Sequence, residues 1–193
     1  MKNEVIANHL GAPGNVGILP AQNRCGRDAR APGNVFFYNY PVCKIGIAEE
    51  NGAISRVVFS GSGKNDFSGF AVAESPVIKT ASTQLAEYFT GKRKEFDLPL
   101  APAGTEFQRS VWRALQTIPY GKTRSYGEIA AQIGNPKAFR AVGLTNNRNP
   151  IVIIIPCHRV IGHDGSLVGF GGGLGVKQYL LDLENRHAPG RLL

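Results

Sequence analysis

Five consecutive aliphatic residues, Ile151-Val152-Ile153-Ile154-Ile155, run straight into Pro156-Cys157-His158-Arg159-Val160. A stretch this apolar has to be buried. The fold must therefore build a core around it and deliver one cysteine, with an imidazole beside it, at its end. A thiol is a strong nucleophile only as thiolate, and a neighbouring proton acceptor can produce one near neutral pH.

The 193 residues suit one large domain or two small ones, and 42% hydrophobic content is enough for a core. Cys25, Cys43 and Cys157 form neither a disulfide framework nor a CxxC zinc pattern. That usage points to a reducing, cytoplasmic setting. No segment reaches the ~18 apolar residues of a membrane span, and the N-terminus lacks the order of a secretory signal. The net charge is +8, and more than half of it lies after Phe96. Basic side chains gain affinity for polyanions by releasing phosphate counterions, so a nucleic acid is a favoured partner.

Glycine and proline interrupt residues 1–34 repeatedly, which reads as a loosely attached leader. From Val35 the pattern becomes strand-like: Val35 to Tyr38, Cys43 to Ala48 and Ile54 to Phe59, with Asn51-Gly52 as a hairpin turn. Pro76 to Phe89 has helical spacing and Gly91 as a stop. Residues 35–94 thus read as a small α/β domain and 95–101 as a linker. Residues 102–187 are mainly helical, and 188–193 are a tail. Phe107, Val111, Trp112, Leu115 and Ile118 mark one amphipathic helix. Ser125 and Glu128 form a capping box for a helix from Tyr126 to Ile133. After Gly134-Asn135, a further helix is expected from Pro136 to about Asn146, which makes a helix-turn-helix. A glycine-rich loop, Gly169 to Gly173, precedes a short helix from Val176 to Leu183.

Several motifs then agree in order and spacing: Tyr126-Gly127-Glu128-Ile129-Ala130, Gly134 to Gly143, Asn149-Pro150, Ile155 to Ile161 and Gly172-Gly173-Leu174. Together they resemble the O6-alkylguanine-DNA alkyltransferases, strongly over about Phe107 to Glu184 and more loosely over Val35 to Phe89. The resemblance implies an α+β fold, a ribonuclease-H-like N-terminal domain followed by a winged helix-turn-helix domain. It implies repair by direct reversal: an alkyl group passes from O6 of guanine, or O4 of thymine, to the protein's own cysteine, once per molecule, without metal or cofactor. Cys157 would be the nucleophile and His158 its water-mediated base. Glu184 would orient that histidine, Asn149 would brace the active-site turn, and Tyr126 would donate to guanine N3 as charge develops. Val160, Phe170 and Gly171 would line the substrate site.

The lesion lies inside a duplex, so the nucleotide must be flipped. Arg140 matches the finger that fills the gap, with Asn135 and Lys137 as further DNA contacts. The partner implied is double-stranded DNA carrying O6-alkylguanine, bound through the minor groove by a monomer. Phe170 replaces a common tyrosine, Gly171 a serine or alanine, and Val152 a common proline. Two other readings compete. A non-catalytic lesion sensor would lack Cys157, and a winged-helix transcription regulator would need no cysteine–histidine pair.

Overall fold

The computed structural model describes residues 33–61 and 67–188. The expected leader, apart from its last two residues, and most of the tail lie outside them. Three antiparallel strands open the fold: β1 (Asn34–Asn39), β2 (Lys44–Glu50) and β3 (Ala53–Phe59). A two-residue strand, β4 (Ala71–Val72), adds in parallel to β1, so the sheet order is β3-β2-β1-β4. Two residues carry too little alternation to be seen in a sequence. Asn51 (φ 53°) and Gly52 (φ 78°) both take left-handed backbone at the β2–β3 turn, as a type I′ turn requires.

Helix α1 (Pro76–Phe89) starts at Ser75, whose hydroxyl accepts from the Ile78 amide, and stops before Gly91 at φ 74°. It lays Ile78, Ala81, Leu85 and Tyr88 onto Ile45, Ile47 and Val57 of the sheet, all fully buried. The segment 95–101, expected as a linker, is tied down. The Gln84 side chain donates to Asp97 O (2.9 Å) and accepts from Asp97 N (3.0 Å). Backbone bonds Ile54 N–Pro99 O (2.8 Å) and Ala101 N–Ile54 O (2.9 Å) hold the rest.

The C-terminal half comprises α2 (Glu106–Gln116), β5 (Arg124–Ser125), α3 (Tyr126–Gln132), α4 (Phe139–Asn147), β6 (Val160–Ile161) and α5 (Leu174–His187). Both α2 and α3 begin with reciprocal capping boxes, Thr105/Gln108 and Ser125/Glu128. Because Ser125 sets the entry of the helix that carries Tyr126, Ser125→Ala is expected to cost ~1 kcal/mol, read as a lower urea midpoint with unchanged slope.

The expected helix from Pro136 is split. Residues 136–138 form a 3-10 turn, and the α-helix starts only at Phe139. No side chain caps either start, so the tighter turn uses Asn135 O to accept from Ala138 N (2.9 Å). Helix α5 begins earlier and ends later than the apolar pattern suggested. Residues 162–173 form the wing as a loop, anchored by the parallel pairing of β5 with β6.

The aliphatic run is buried throughout, yet it is not a strand. Val57 N donates to Pro150 O and Val152 N to Val57 O, both at 2.9 Å, so the run starts by extending the sheet edge at β3. It then turns through Ile153, which has φ 71°. A β-branched residue there is strained, at a cost of about 1–3 kcal/mol that its surroundings must offset. Asn149 supplies much of the restraint. Its Nδ2 donates to Ile155 O (2.8 Å), and its Oδ1 accepts from Ile151 N (3.0 Å). Val152, where the resemblance led to an expectation of proline, uses an N–H that proline lacks.

Candidate active site

Cys157, His158 and Arg159 form a 3-10 turn directly after that strained segment. Consecutive side chains on such a turn diverge, so the sulfur and the imidazole face different neighbours. Cys157 lines a cleft with Val58, Phe59, Asn146, Val152, Phe170 and Gly171. In this conformation the cleft offers about 10 Å³, close to the ~10–15 Å³ that a single water needs. Phe170 and Gly171 bring the wing loop to this cleft. That loop rests on the N-terminal sheet: the Phe170 and Phe59 rings lie 5.8 Å apart, and a Cβ on Gly172 would come within 2.7 Å of the Phe59 ring.

His158 is fully buried and points toward Glu184, with Nε2–Oε1 at 2.7 Å. Glu184 is also fully engaged. Arg159 Nε donates to Oε2 (2.9 Å) and Nη2 to Oε1 (2.9 Å), Tyr88 Oη donates to Oε1 (2.8 Å), and Gly121 N donates to Oε2 (3.0 Å). Burial alone would raise the Glu184 pKa, but the histidine and arginine overrule it and hold it far below the usual carboxylate range. Burial lowers the His158 pKa, and Glu184 offsets only part of that. The imidazole is thus neutral at pH 7. Its Nε2 carries the proton donated to Glu184, which leaves Nδ1 as a lone pair. Nδ1 is buried without a hydrogen-bond partner among the described residues. This is the tautomer a base toward a thiol requires.

Tyr126, at the first position of α3, donates to Val168 O (3.1 Å). Its phenol is pushed up by burial and then by the charge of Cys157, while the Asn146 amide counteracts them. It therefore keeps its proton at neutral pH and can donate it. Val160 is buried, and its carbonyl accepts from Lys177 Nζ (2.6 Å). Lys177 is itself fully buried and also donates to Val168 O (3.1 Å). One ammonium thus ties β6 to the wing loop and to the acceptor of Tyr126. Burial lowers its pKa, and the Cys157 charge partly restores it, so this cation stands close enough to favour a thiolate.

The remaining residues named from the sequence lie elsewhere. Asn135, Lys137 and Arg140 are exposed on the turn and first residues of α4, where the Arg140 guanidinium lies 5.6 Å from the Phe139 ring centroid. Tyr88, Phe59, Asn146 and Lys177 did not emerge from the sequence. Each is an ordinary member of a helical or strand pattern until the fold places it against the cysteine turn. A lysine on the apolar stripe of α5 was the one local signal, since a buried lysine needs acceptors. Cys43, the other cysteine among the described residues, is half-buried with its thiol pKa raised by burial. No group of three or more metal-binding side chains occurs among the described residues.

Family comparisons agree with this geometry. The 6-O-methylguanine DNA methyltransferase DNA-binding domain matches residues 106–186, and the ribonuclease-like domain of the same proteins matches residues 36–102. A methylated-DNA–protein-cysteine methyltransferase of Methanosarcina acetivorans is 53% identical over 148 residues, 76% of this chain and 95% of the relative. One from Mycolicibacterium paratuberculosis is 65% identical over 112 residues, 58% of this chain and 68% of the relative. The crystal structure of Mycobacterium tuberculosis O6-methylguanine methyltransferase superimposes with a TM-score of 0.76 at 43% identity, covering 82% of this chain and 96% of that one. A structure of Mycobacterium tuberculosis OGT in complex with DNA gives 0.74 at 44% identity, covering 81% and 96%. With both domains matched in order and the sheet, helix-turn-helix and cysteine turn in place, the chain belongs to the 6-O-methylguanine DNA methyltransferase family.

Proposed function

We propose that this chain repairs alkylated DNA by direct reversal, with Cys157 as the acceptor of the alkyl group. The observation that carries the reading is the neutral His158 tautomer, fixed by Glu184, beside a cysteine that opens on a cleft. His158 takes the thiol proton at Nδ1 by way of a bridging water. The sulfur attacks the alkyl carbon, the S–C bond forms as the C–O6 bond breaks, and the electron pair passes into the guanine ring. Tyr126 then supplies a proton to the base, which restores guanine after exchange with water. The product is a thioether with no leaving group to regenerate the thiol, so each molecule acts once.

The exposed Lys137 and Arg140 at the uncapped start of α4 support the DNA side of the reading. Unsatisfied helix amides and basic side chains suit phosphate, and Arg140 is free to enter a stack vacated by the flipped base. On this reading α4 lies in the minor groove and one protein molecule serves one lesion. The test is intact-protein mass spectrometry after incubation with a duplex bearing one O6-methylguanine. One methyl per chain, mapped to Cys157, is expected. An unmodified chain with the lesion still in the duplex refutes the reading.

A further inference from the structure

We propose that Tyr88 is a positioning residue for the proton relay: its hydroxyl draws charge from the Glu184 oxygen that His158 uses, and so limits how readily His158 takes the Cys157 proton. The inference rests on the alkyl-transfer reading above and concerns what sets the strength of its base.

Tyr88 comes from α1, in the N-terminal half, and is fully buried. Its Oη donates to Glu184 Oε1 at 2.8 Å, the same oxygen that accepts from His158 Nε2 at 2.7 Å. Arg159 Nη2 is a third donor there, at 2.9 Å. Tyr88 Oη also lies 3.4 Å from His158 Nε2. The Nε2 proton is committed to the carboxylate, so Tyr88 acts on the histidine through Glu184. Burial first, and then the charge of Glu184, hold the phenol well above its ordinary pKa. It therefore stays a donor throughout the neutral range.

The carboxylate makes His158 basic by stabilising the imidazolium that forms when the thiol proton arrives. A further donor on Oε1 takes up charge that would otherwise serve the imidazolium. The hydroxyl can be removed without releasing the carboxylate, because Arg159 Nε (2.9 Å) and Gly121 N (3.0 Å) hold Oε2. The Tyr88 ring packs against Phe96 and Tyr120, at centroid distances of 5.6 and 6.0 Å. The other charged or titratable groups around the histidine–carboxylate pair are Arg159 on the cysteine turn, Tyr120 ahead of β5 and Lys177 on α5. All three are retained in the variants that test the proposal.

The experiment is the pH dependence of single-turnover transfer from a saturating duplex carrying O6-methylguanine. The rate rises with pH as the thiol loses its proton to the relay, and the midpoint belongs to the coupled cysteine–histidine pair. Tyr88→Phe removes the donor and is expected to move that midpoint down by about half a unit or more. Placing 3-fluorotyrosine at position 88 supplies a stronger donor on the same ring and is expected to move it up. Loss of packing lowers the rate at every pH but does not shift the midpoint in opposite directions. Either variant left at the wild-type midpoint, or both moved the same way, overturns the proposal. The fluorinated protein keeps the ring and the hydroxyl, so it decides the matter even if Tyr88→Phe fails to fold. Absence of transfer by wild type at every pH would instead overturn the alkyl-transfer reading itself.

Discussion

Glu184→Ala is expected to destabilise the protein by about 3–5 kcal/mol, because it leaves a buried guanidinium without its counter-charge. The carboxylate receives donors from Tyr88, His158, Arg159 and Gly121, which come from three separate stretches of chain. The Arg159 Nη1 bond to Ile118 O (2.6 Å) remains, but a carbonyl cannot neutralise the charge. Urea unfolding measures the loss, and an effect below about 1 kcal/mol would place the cluster with exposed pairs.

Acid should reproduce part of that loss in the wild type. The folded pKa of Glu184 lies below its ordinary 4.5, and that of His158 below its ordinary 6.5. In both cases the unfolded chain binds protons more readily, so each contribution is present above the ordinary value and lost as pH falls. Stability is expected to decline from about 6.5 downward, and more steeply below about 4.5. Glu184→Gln should flatten the second, steeper part. A stability that rises on acidification between those values would contradict the protonation states assigned here.

Cys157→Ser should abolish transfer while leaving the fold and affinity for undamaged duplex unchanged. The substitution is nearly isosteric at a residue 2% exposed, so the cleft keeps its shape. A serine hydroxyl, however, does not ionise under the same base, and an uncharged oxygen is a poor nucleophile toward an alkyl carbon. Removing the nucleophile of an unrelated hydrolase costs on the order of 10⁶ in rate, and a comparable loss is expected here. Rapid-quench assays with labelled lesion measure it. Label on the serine protein, at Cys43 or elsewhere, would move the reaction away from Cys157.

How much of this was legible in the sequence follows from the range of each interaction. Ser125 and Glu128 close a capping box within one helical turn, and the structure has both of its bonds. Asn51-Gly52 needs only its own backbone to favour the turn it makes. By contrast, Ile153 shows no mark of its positive φ, because nothing local favours it. The bonds of Asn149 and the sheet edge at Val57 hold it there. Helix α4 was displaced from its expected start at Pro136 by a missing cap, an energy too small to show in an apolar pattern.

By itself, the order of residues determined the helices and strands with strong periodicity, the cysteine–histidine pair and the motifs that mark the family. These depend on contacts a few residues apart or on chemistry carried by one side chain. Only the tertiary structure decided that Tyr88, 96 residues from Glu184, completes the carboxylate's shell, and that Lys177 and Asn146 face the cysteine turn. Burial selects those partners, because charge and amide groups taken out of water must find each other wherever the chain happens to bring them.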